Sequence, residues 1–208
     1  MALSSVRRAA TVVATDVPLA TCLIGLDVAA RLLPHAPNLT PVAASAVFAG
    51  AVLRSKASAL AVPLAAMLLS DLVLGGYDWR VMSIVYASLA LPALLGRLGR
   101  GRRLVLAPIV LSSSLLFFVT TNFAVWAFSG MYPGDLAGLV HCYVAALPFL
   151  QNTVLGDAAW SAALFGAWWL AGRTPLGRDR RVVARMSQRV GAKRRPMTGS
   201  AKSGDVAA

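Results

Sequence analysis

The sequence contains no glutamate, and all eight of its acidic residues are aspartates in a chain of 208. Charged residues of both signs make up only 13% of the chain, whereas a water-soluble domain usually has about a quarter. Hydrophobic residues account for 58%, and the mean hydropathy is +0.69. This composition excludes an ordinary soluble domain of the same length.

Cysteine is scarce as well. Cys22 and Cys142 are too few to form a disulfide framework. Each lies inside an apolar stretch, so both are predicted to be small buried residues.

The common signatures of catalytic sites are also missing. The chain has no HExxH metal motif, no phosphate-binding glycine loop and no GxSxG elbow. AFSG at 127–130 resembles the GxSG of intramembrane serine proteases without its first glycine, and His141 is the only histidine after it. An alternative role for Asp71 and Asp157 is that of an acid–base pair acting on a lipid substrate. The two histidines and Cys142 have no fixed metal-ligand spacing, which favours core or interface roles, so neither an enzyme, a cofactor nor a metal site is predicted.

Long apolar runs dominate the chain. Runs of roughly 18 to 25 residues match the length needed to cross about 30 Å of hydrocarbon, and backbone in that medium must be helical. The last apolar region is too long for one crossing and contains Pro148, which predicts a short helix followed by a full span. The predicted helices cover 11–33, 41–53, 57–74, 79–96, 104–128, 136–147 and 152–171.

The positions of the basic residues predict the topology. Arginine and lysine occur before the first helix, in the connections after the second and fourth helices, and after the last one. The connections at 35–40, 75–78 and 129–135 contain neither residue. Under the positive-inside rule this alternation predicts an all-α polytopic protein of the bacterial inner membrane, with six transmembrane helices and both termini cytoplasmic.

Three regions follow from this topology. Residues 1–10 are predicted to be a cytoplasmic N-terminal tail, and 11–172 the six-helix transmembrane domain. Residues 173–208 hold ten of the twenty basic residues and are predicted to be a basic cytoplasmic tail that is partly disordered. A helix lying on the anionic membrane surface is the alternative for 182–190, whereas nucleic acid is not an expected partner.

Polar side chains collect near the connections that lack basic residues. Carboxylates and amides within apolar helices are costly and generally face a bundle interior or a wet cavity, so they either line a pocket or brace the helices. Asp27 and Arg31, four residues apart, are predicted to pair. Asp78 and Arg80 are predicted to be either solvated or paired with each other. Asn38 and Thr40 are candidates to cap the second helix. The candidate substrate-binding residues are Asn38, Asp71, Tyr77, Asn122, Trp126, Asn152 and Asp157.

Several of these residues lie in strings with a family resemblance. LLPHAPNLTPVAA, VPLAAMLLSDLVLG, SLLFFVTTNFAVWAFSGMYPGDLAGL and YVAALPFLQNTVLGDAAWSAALFG resemble an uncharacterised family of predicted bacterial transport proteins. More distantly, the proline–asparagine bend, the second helix with its AG pair and the third helix with SDxxxG resemble the S components of energy-coupling-factor vitamin transporters. That resemblance implies an S-component-like fold of six helices with a solute pocket under the outer loops. It also implies that a separate energising module is a partner, because the chain itself has no ATP-binding motif.

The predicted function is therefore binding and uptake of a small organic nutrient, a vitamin or cofactor precursor, through an outward-facing pocket. The expected partners are the lipid bilayer, the small-molecule solute and an energising module. The alternatives are an intramembrane lipid-handling enzyme and a membrane scaffold or assembly factor that works through its basic tail.

Overall fold

A computed structural model of the chain describes residues 2–172, with side chains described from Thr15 onward except Arg103. These residues contain six α-helices and two short 3-10 turns, and no strand occurs among them. Helices α1 to α5 and most of α6 belong to one compact unit, Met1–Gly166, and a second unit, Ala167–Ala208, begins in the last turns of α6. The helices are α1 Ala2–Leu32, α2 Val42–Val52, α3 Lys56–Leu74, α4 Trp79–Gly96, α5 Leu106–Phe128 and α6 Leu136–Ala171, with 3-10 turns at Arg97–Gly99 and Arg103–Val105.

Four of the described helices are long and apolar enough to cross a membrane. They are α3, α4 extended to Gly99, α5 and α6. The described part of the chain is thus all-helical and of membrane type, as the composition predicts. The predicted count of six spans is not confirmed, because α1 and α2 are not among these four helices. Helix α2 has only 11 residues and is about 16 Å long, roughly half of the hydrocarbon thickness.

Helix α6 corrects the prediction of a break at Pro148. The helix is continuous over 36 residues, from Leu136 to Ala171, with Pro148 inside it. A proline removes one backbone hydrogen bond and can bend a helix, but a membrane helix tolerates that loss when its neighbours support it. At 1.5 Å per residue α6 is about 54 Å long.

The other helix bounds lie close to the predicted ones, except at the N-terminus. Helix α1 begins at Ala2, so the predicted tail at 1–10 is helical along its backbone. Helix α2 starts after Pro41 with no side-chain cap, which corrects the capping role predicted for Asn38 and Thr40. The basic tail at 173–208 lies outside the described residues.

Helix α2 is the buried centre of the fold. Every residue from Val42 to Gly50 is buried, and the helix contacts α1, α3, α4 and α5. It crosses α4 closely enough that a Cβ added to Gly50 would lie 2.1 Å from the carbonyl oxygen of Ala93. A Cβ on Gly96 would likewise lie 2.2 Å from the carbonyl oxygen of Val47. Small residues of this kind let membrane helices approach backbone to backbone.

The helix connections gather at two ends of the bundle. At the arginine end, defined by the connections 53–55 and 97–105, the Arg100 guanidinium donates to the carbonyl oxygens of Gly50 and Leu53. Arg97 donates to the carbonyl oxygen of Arg54 at 3.3 Å. The bend end is defined by the connections 33–41, 75–78 and 129–135. Charged side chains interact at the bend end as well, where Arg31 bonds to other side chains.

Candidate functional site

An ion pair joins α1 to α3 at the bend end. Arg31, in the last turn of α1, places a guanidinium nitrogen 2.5 Å from Oδ1 of Asp71, and its Nε donates to Ser70 Oγ at 2.6 Å. The Asp71 side chain is 5% exposed and that of Arg31 is 19% exposed, so one partner is enclosed and the other reaches the surface. Removing one member of such a buried pair leaves the other charge uncompensated.

Two tyrosines complete this group. Tyr86 on α4 donates its hydroxyl to Oδ2 of Asp71 at 2.8 Å, so both carboxylate oxygens of Asp71 are bonded. Tyr77, in the connection between α3 and α4, is 44% exposed and lies close enough for the charges of Asp71 and Arg31 to act on it. Burial and the Asp71 carboxylate raise the pKa of Tyr77 while Arg31 opposes them, so the phenol stays neutral. We call Arg31, Ser70, Asp71, Tyr77 and Tyr86 the Asp71 cluster.

The proline-rich bend rests on α6. Asn38 has a φ of 63°, in the left-handed region, and the backbone N–H of Leu39 donates to the carbonyl oxygen of Ala36 to close the turn. Asn152 donates its side-chain amide to the carbonyl oxygen of Pro37 at 3.1 Å. Gly156, one turn further along α6, lies where a Cβ would come within 3.2 Å of Leu39 Cα. Asn152 thus bonds to the residue before Asn38, and this contact fixes the bend.

Asn122 and Trp126 lie one turn apart on α5 and have separate partners. The Asn122 amide donates to the carbonyl oxygen of Phe118 in its own helix at 2.8 Å. The Trp126 indole N–H donates to the carbonyl oxygen of Pro133, in the connection to α6, at 2.9 Å. The Cys142 thiol lies 3.4 Å from the carbonyl oxygen of Asn122. None of these bonds reaches the Asp71 cluster.

Asp157 on α6 faces α5. It is 3% exposed, and its Oδ2 accepts a hydrogen bond of 2.6 Å from Ser114. This contact connects the two helices, which fits the bracing role that the sequence left open for this residue.

The seven predicted residues therefore fall into separate groups. Asp71 and Tyr77 share one cluster, Asn38 and Asn152 fix the bend, and the others bond elsewhere. Sequence reasoning missed Arg31, Ser70 and Tyr86 as members of the cluster. A usable signal was present for Arg31, because it is a lone cation next to a connection that otherwise lacks basic residues.

Three smaller predictions have clear outcomes. The pair Asp27–Arg31 is wrong, because Arg31 binds Asp71 and Asp27 accepts from Ser45. Of the two alternatives for Asp78 and Arg80, the structure shows the mutual pair, at 3.2 Å. Of the two cysteines Cys142 is buried, whereas Cys22 is exposed, because its side of α1 lacks a covering helix in the described part of the chain.

A family model described as a family of unknown function (DUF6580) matches residues 12–179. Because the match covers most of the chain, the chain belongs to this family. No curated protein and no solved structure matches it.

Proposed function

We propose that this member of the DUF6580 family binds a small organic solute at the Asp71 cluster and carries it across the membrane. The observation that supports the proposal most strongly is the Arg31–Asp71 ion pair, placed where two apolar helices end beside a half-exposed tyrosine. Ionisable residues within membrane helices are rare, and they commonly mark a solute or ion pathway.

The chemistry of the cluster suits a polar ligand. Arg31 and Tyr77 both reach the surface, so a ligand can approach a cation and a neutral phenol without unfolding a helix. Tyr77 also offers an aromatic face for stacking. Every bond that Arg31 makes here is to another side chain, and side chains can change partner on a solute's arrival more easily than backbone groups can.

The wider setting of the proposal comes from the charge pattern. Basic residues at the arginine end favour a cytoplasmic position for that end, and an external position for the bend end in a bacterial inner membrane. The same proposal includes membrane crossings by all six helices and a cytoplasmic position for both termini. The vitamin-like character of the solute, and an energising module as partner, are supported by the family resemblance alone.

Native mass spectrometry of the gently purified chain, followed by denaturing release, tests the proposal. We expect one small organic compound at a stoichiometric level, which is lost from Asp71→Asn. The matched control is Asp78→Asn, which removes a carboxylate at the same end that pairs with Arg80, and this variant should keep the compound.

Two results would contradict the proposal. Phospholipid as the only bound compound, unchanged in Asp71→Asn, would favour a lipid-handling enzyme. A partner protein that depends on residues 178–208, with no small molecule, would favour a scaffold.

A further inference from the structure

Asp27 is a buried carboxyl group that belongs to no ion pair in the described part of the chain. It lies on α1, facing α2, and its exposure is 0%. Oδ2 is 2.5 Å from the Ser45 hydroxyl, and Oδ1 has no hydrogen-bond partner. Arg31, one turn away on the same helix, is engaged by Asp71 instead. A neutral hydroxyl is thus the only donor that Asp27 has here.

The hydrogen bonds of Ser45 indicate which form of Asp27 fits this arrangement. Ser45 Oγ lies 2.5 Å from Asp27 Oδ2 and 3.0 Å from the carbonyl oxygen of Val42. A hydroxyl group has one proton, so Ser45 can donate to only one of these two acceptors. If Asp27 carries a proton, it donates to Ser45, and Ser45 donates to Val42. The protonated form therefore satisfies both contacts, whereas the ionised form satisfies one and leaves a buried charge.

Two other buried aspartates have a different set of donors in this fold. Asp16 accepts the backbone N–H groups of Arg54 and Ser55, at 3.1 and 2.7 Å. Asp71 accepts a guanidinium and a phenol. Each has a donor for both oxygens, at least one of them an N–H group. Asp27 has neither feature.

We propose that Asp27 is a proton-binding site, and that Arg31 pairs with Asp71 when the proton is bound and with Asp27 when it is released. The spacing of four residues on α1 puts Arg31 within reach of both carboxyl groups. On release the proton passes to water, Asp27 becomes a carboxylate and Arg31 keeps its own proton.

The groups around Asp27 set the conditions of this exchange, which leaves the buried Asp71 carboxylate with the hydrogen bond from Tyr86 as its remaining bond among the described residues. On α2 its neighbour is Ser45, which does not titrate. On α3 the charged group is Asp71, which is linked to Asp27 through Arg31, and on α4 Tyr86 is bonded to Asp71. With the proton bound, Asp27, Arg31 and Asp71 together are neutral, and without it they carry one negative charge. If the Asp71 cluster holds the solute, which rests on the function proposed above, proton release changes the charge that the solute meets.

Infrared difference spectroscopy of the full chain in lipid nanodiscs, recorded while the pH is stepped, tests the inference. We expect a C=O band of a protonated carboxyl group at neutral pH, lost completely in Asp27→Asn. We also expect that band to be lost in Asp71→Asn, because Arg31 is then free to pair with Asp27. Asp16→Asn should leave the band unchanged. Asp157→Asn serves for assignment, since Ser114 lies between Asp157 and the carbonyl oxygen of Val110 in the same arrangement. The Asp27 band should remain in this variant, and its loss would overturn the assignment.

If Asp27 had only a structural role, the substitution Asp71→Asn would leave the C=O band unchanged. The inference is overturned if no such band exists, or if the band survives unchanged in Asp71→Asn. If Asp27→Asn does not fold, Ser45→Ala replaces it, and the band should move to higher frequency as it loses its acceptor; an unmoved band would overturn the assignment. The measurement needs no solute, so a failure to find one would remove the proposed function and leave the proton site standing.

Discussion

The two ends of the bundle use their charged side chains in different ways. At the arginine end, Arg97 and Arg100 donate to backbone carbonyl oxygens, and Asp16 accepts from backbone N–H groups. At the bend end, Asp78 caps α4 in a similar manner, but Arg31 bonds to the side chains of Ser70 and Asp71, and Tyr86 bonds to Asp71 as well. The first arrangement satisfies backbone groups at helix ends. The second joins side chains, which can exchange hydrogen-bond partners.

We interpret this difference as one between a structural role and the proposed functional one. The last carbonyl groups of α2 and the first N–H groups around α3 have no partner within their own helices, and a charged side chain that bonds to them stabilises the turn. The bonds between side chains in the Asp71 cluster do not satisfy unpaired backbone groups of this kind. When a ligand binds, this cluster loses only the bonds between its own side chains. For this reason we propose the solute site at the bend end.

The largest effect is expected from Arg31→Met. It removes the cation and leaves the Asp71 carboxylate buried without its charged partner, which costs about 3 to 5 kcal/mol of unfolding free energy. Unfolding in bicelles by increasing SDS measures the loss. The double variant Arg31→Met/Asp71→Leu should regain most of the stability, because an apolar pair can replace a buried ion pair. A double variant as unstable as Arg31→Met would contradict this explanation.

A smaller effect is expected from Arg100→Met at the arginine end. It removes the hydrogen bonds to the carbonyl oxygens of Gly50 and Leu53, at a cost of about 1 to 2 kcal/mol. The same SDS titration measures it. The amount of bound solute per folded molecule should stay at the level of the native chain. A loss of solute in this variant, at unchanged stability, would break the distinction between the two ends.

Asp16→Asn is expected to cost less, about 1 kcal/mol. The amide keeps one acceptor oxygen for the N–H groups of Arg54 and Ser55, and it loses the second oxygen and the charge. Asp16→Ala, which keeps neither acceptor, should cost more than Asp16→Asn in the same titration. Equal costs for the two variants would mean that the hydrogen bonds do not stabilise this turn.

The smallest effect concerns Asp78, which caps α4 at the bend end. Its side chain accepts from the backbone N–H groups of Arg80 and Val81. The hydrogen bond from the Arg80 side chain, followed by those from the backbone, lowers the pKa of Asp78. A lowered pKa in the folded state gives stability that is present above about pH 4 and is lost as the pH falls further. Melting temperatures measured at decreasing pH should fall less steeply in Asp78→Asn than in the native chain, and equal slopes would contradict the assignment.

The sequence predicts the helices better than it predicts their partners. Helix α4 begins and ends where predicted, since Asp78 caps it and the arginine-rich connection follows. The break predicted at Pro148 is wrong, because a proline does not reveal whether neighbouring helices support the turn around it. The pairing of Asp27 with Arg31 is wrong for a related reason. A spacing of four residues makes the contact possible, but Asp71, 40 residues further along the chain, competes for the same guanidinium.

The most direct test of the account is a thermal-shift panel on the purified chain in nanodiscs, using water-soluble vitamins and their precursors. A ligand at 100 times its Kd stabilises the folded state by about 2.7 kcal/mol, which is a readily measured shift. We predict that at least one compound raises the melting temperature of the native chain and of Asp78→Asn, and does not raise that of folded Asp71→Asn. A compound that stabilises native and Asp71→Asn protein equally would contradict a solute site at the Asp71 cluster.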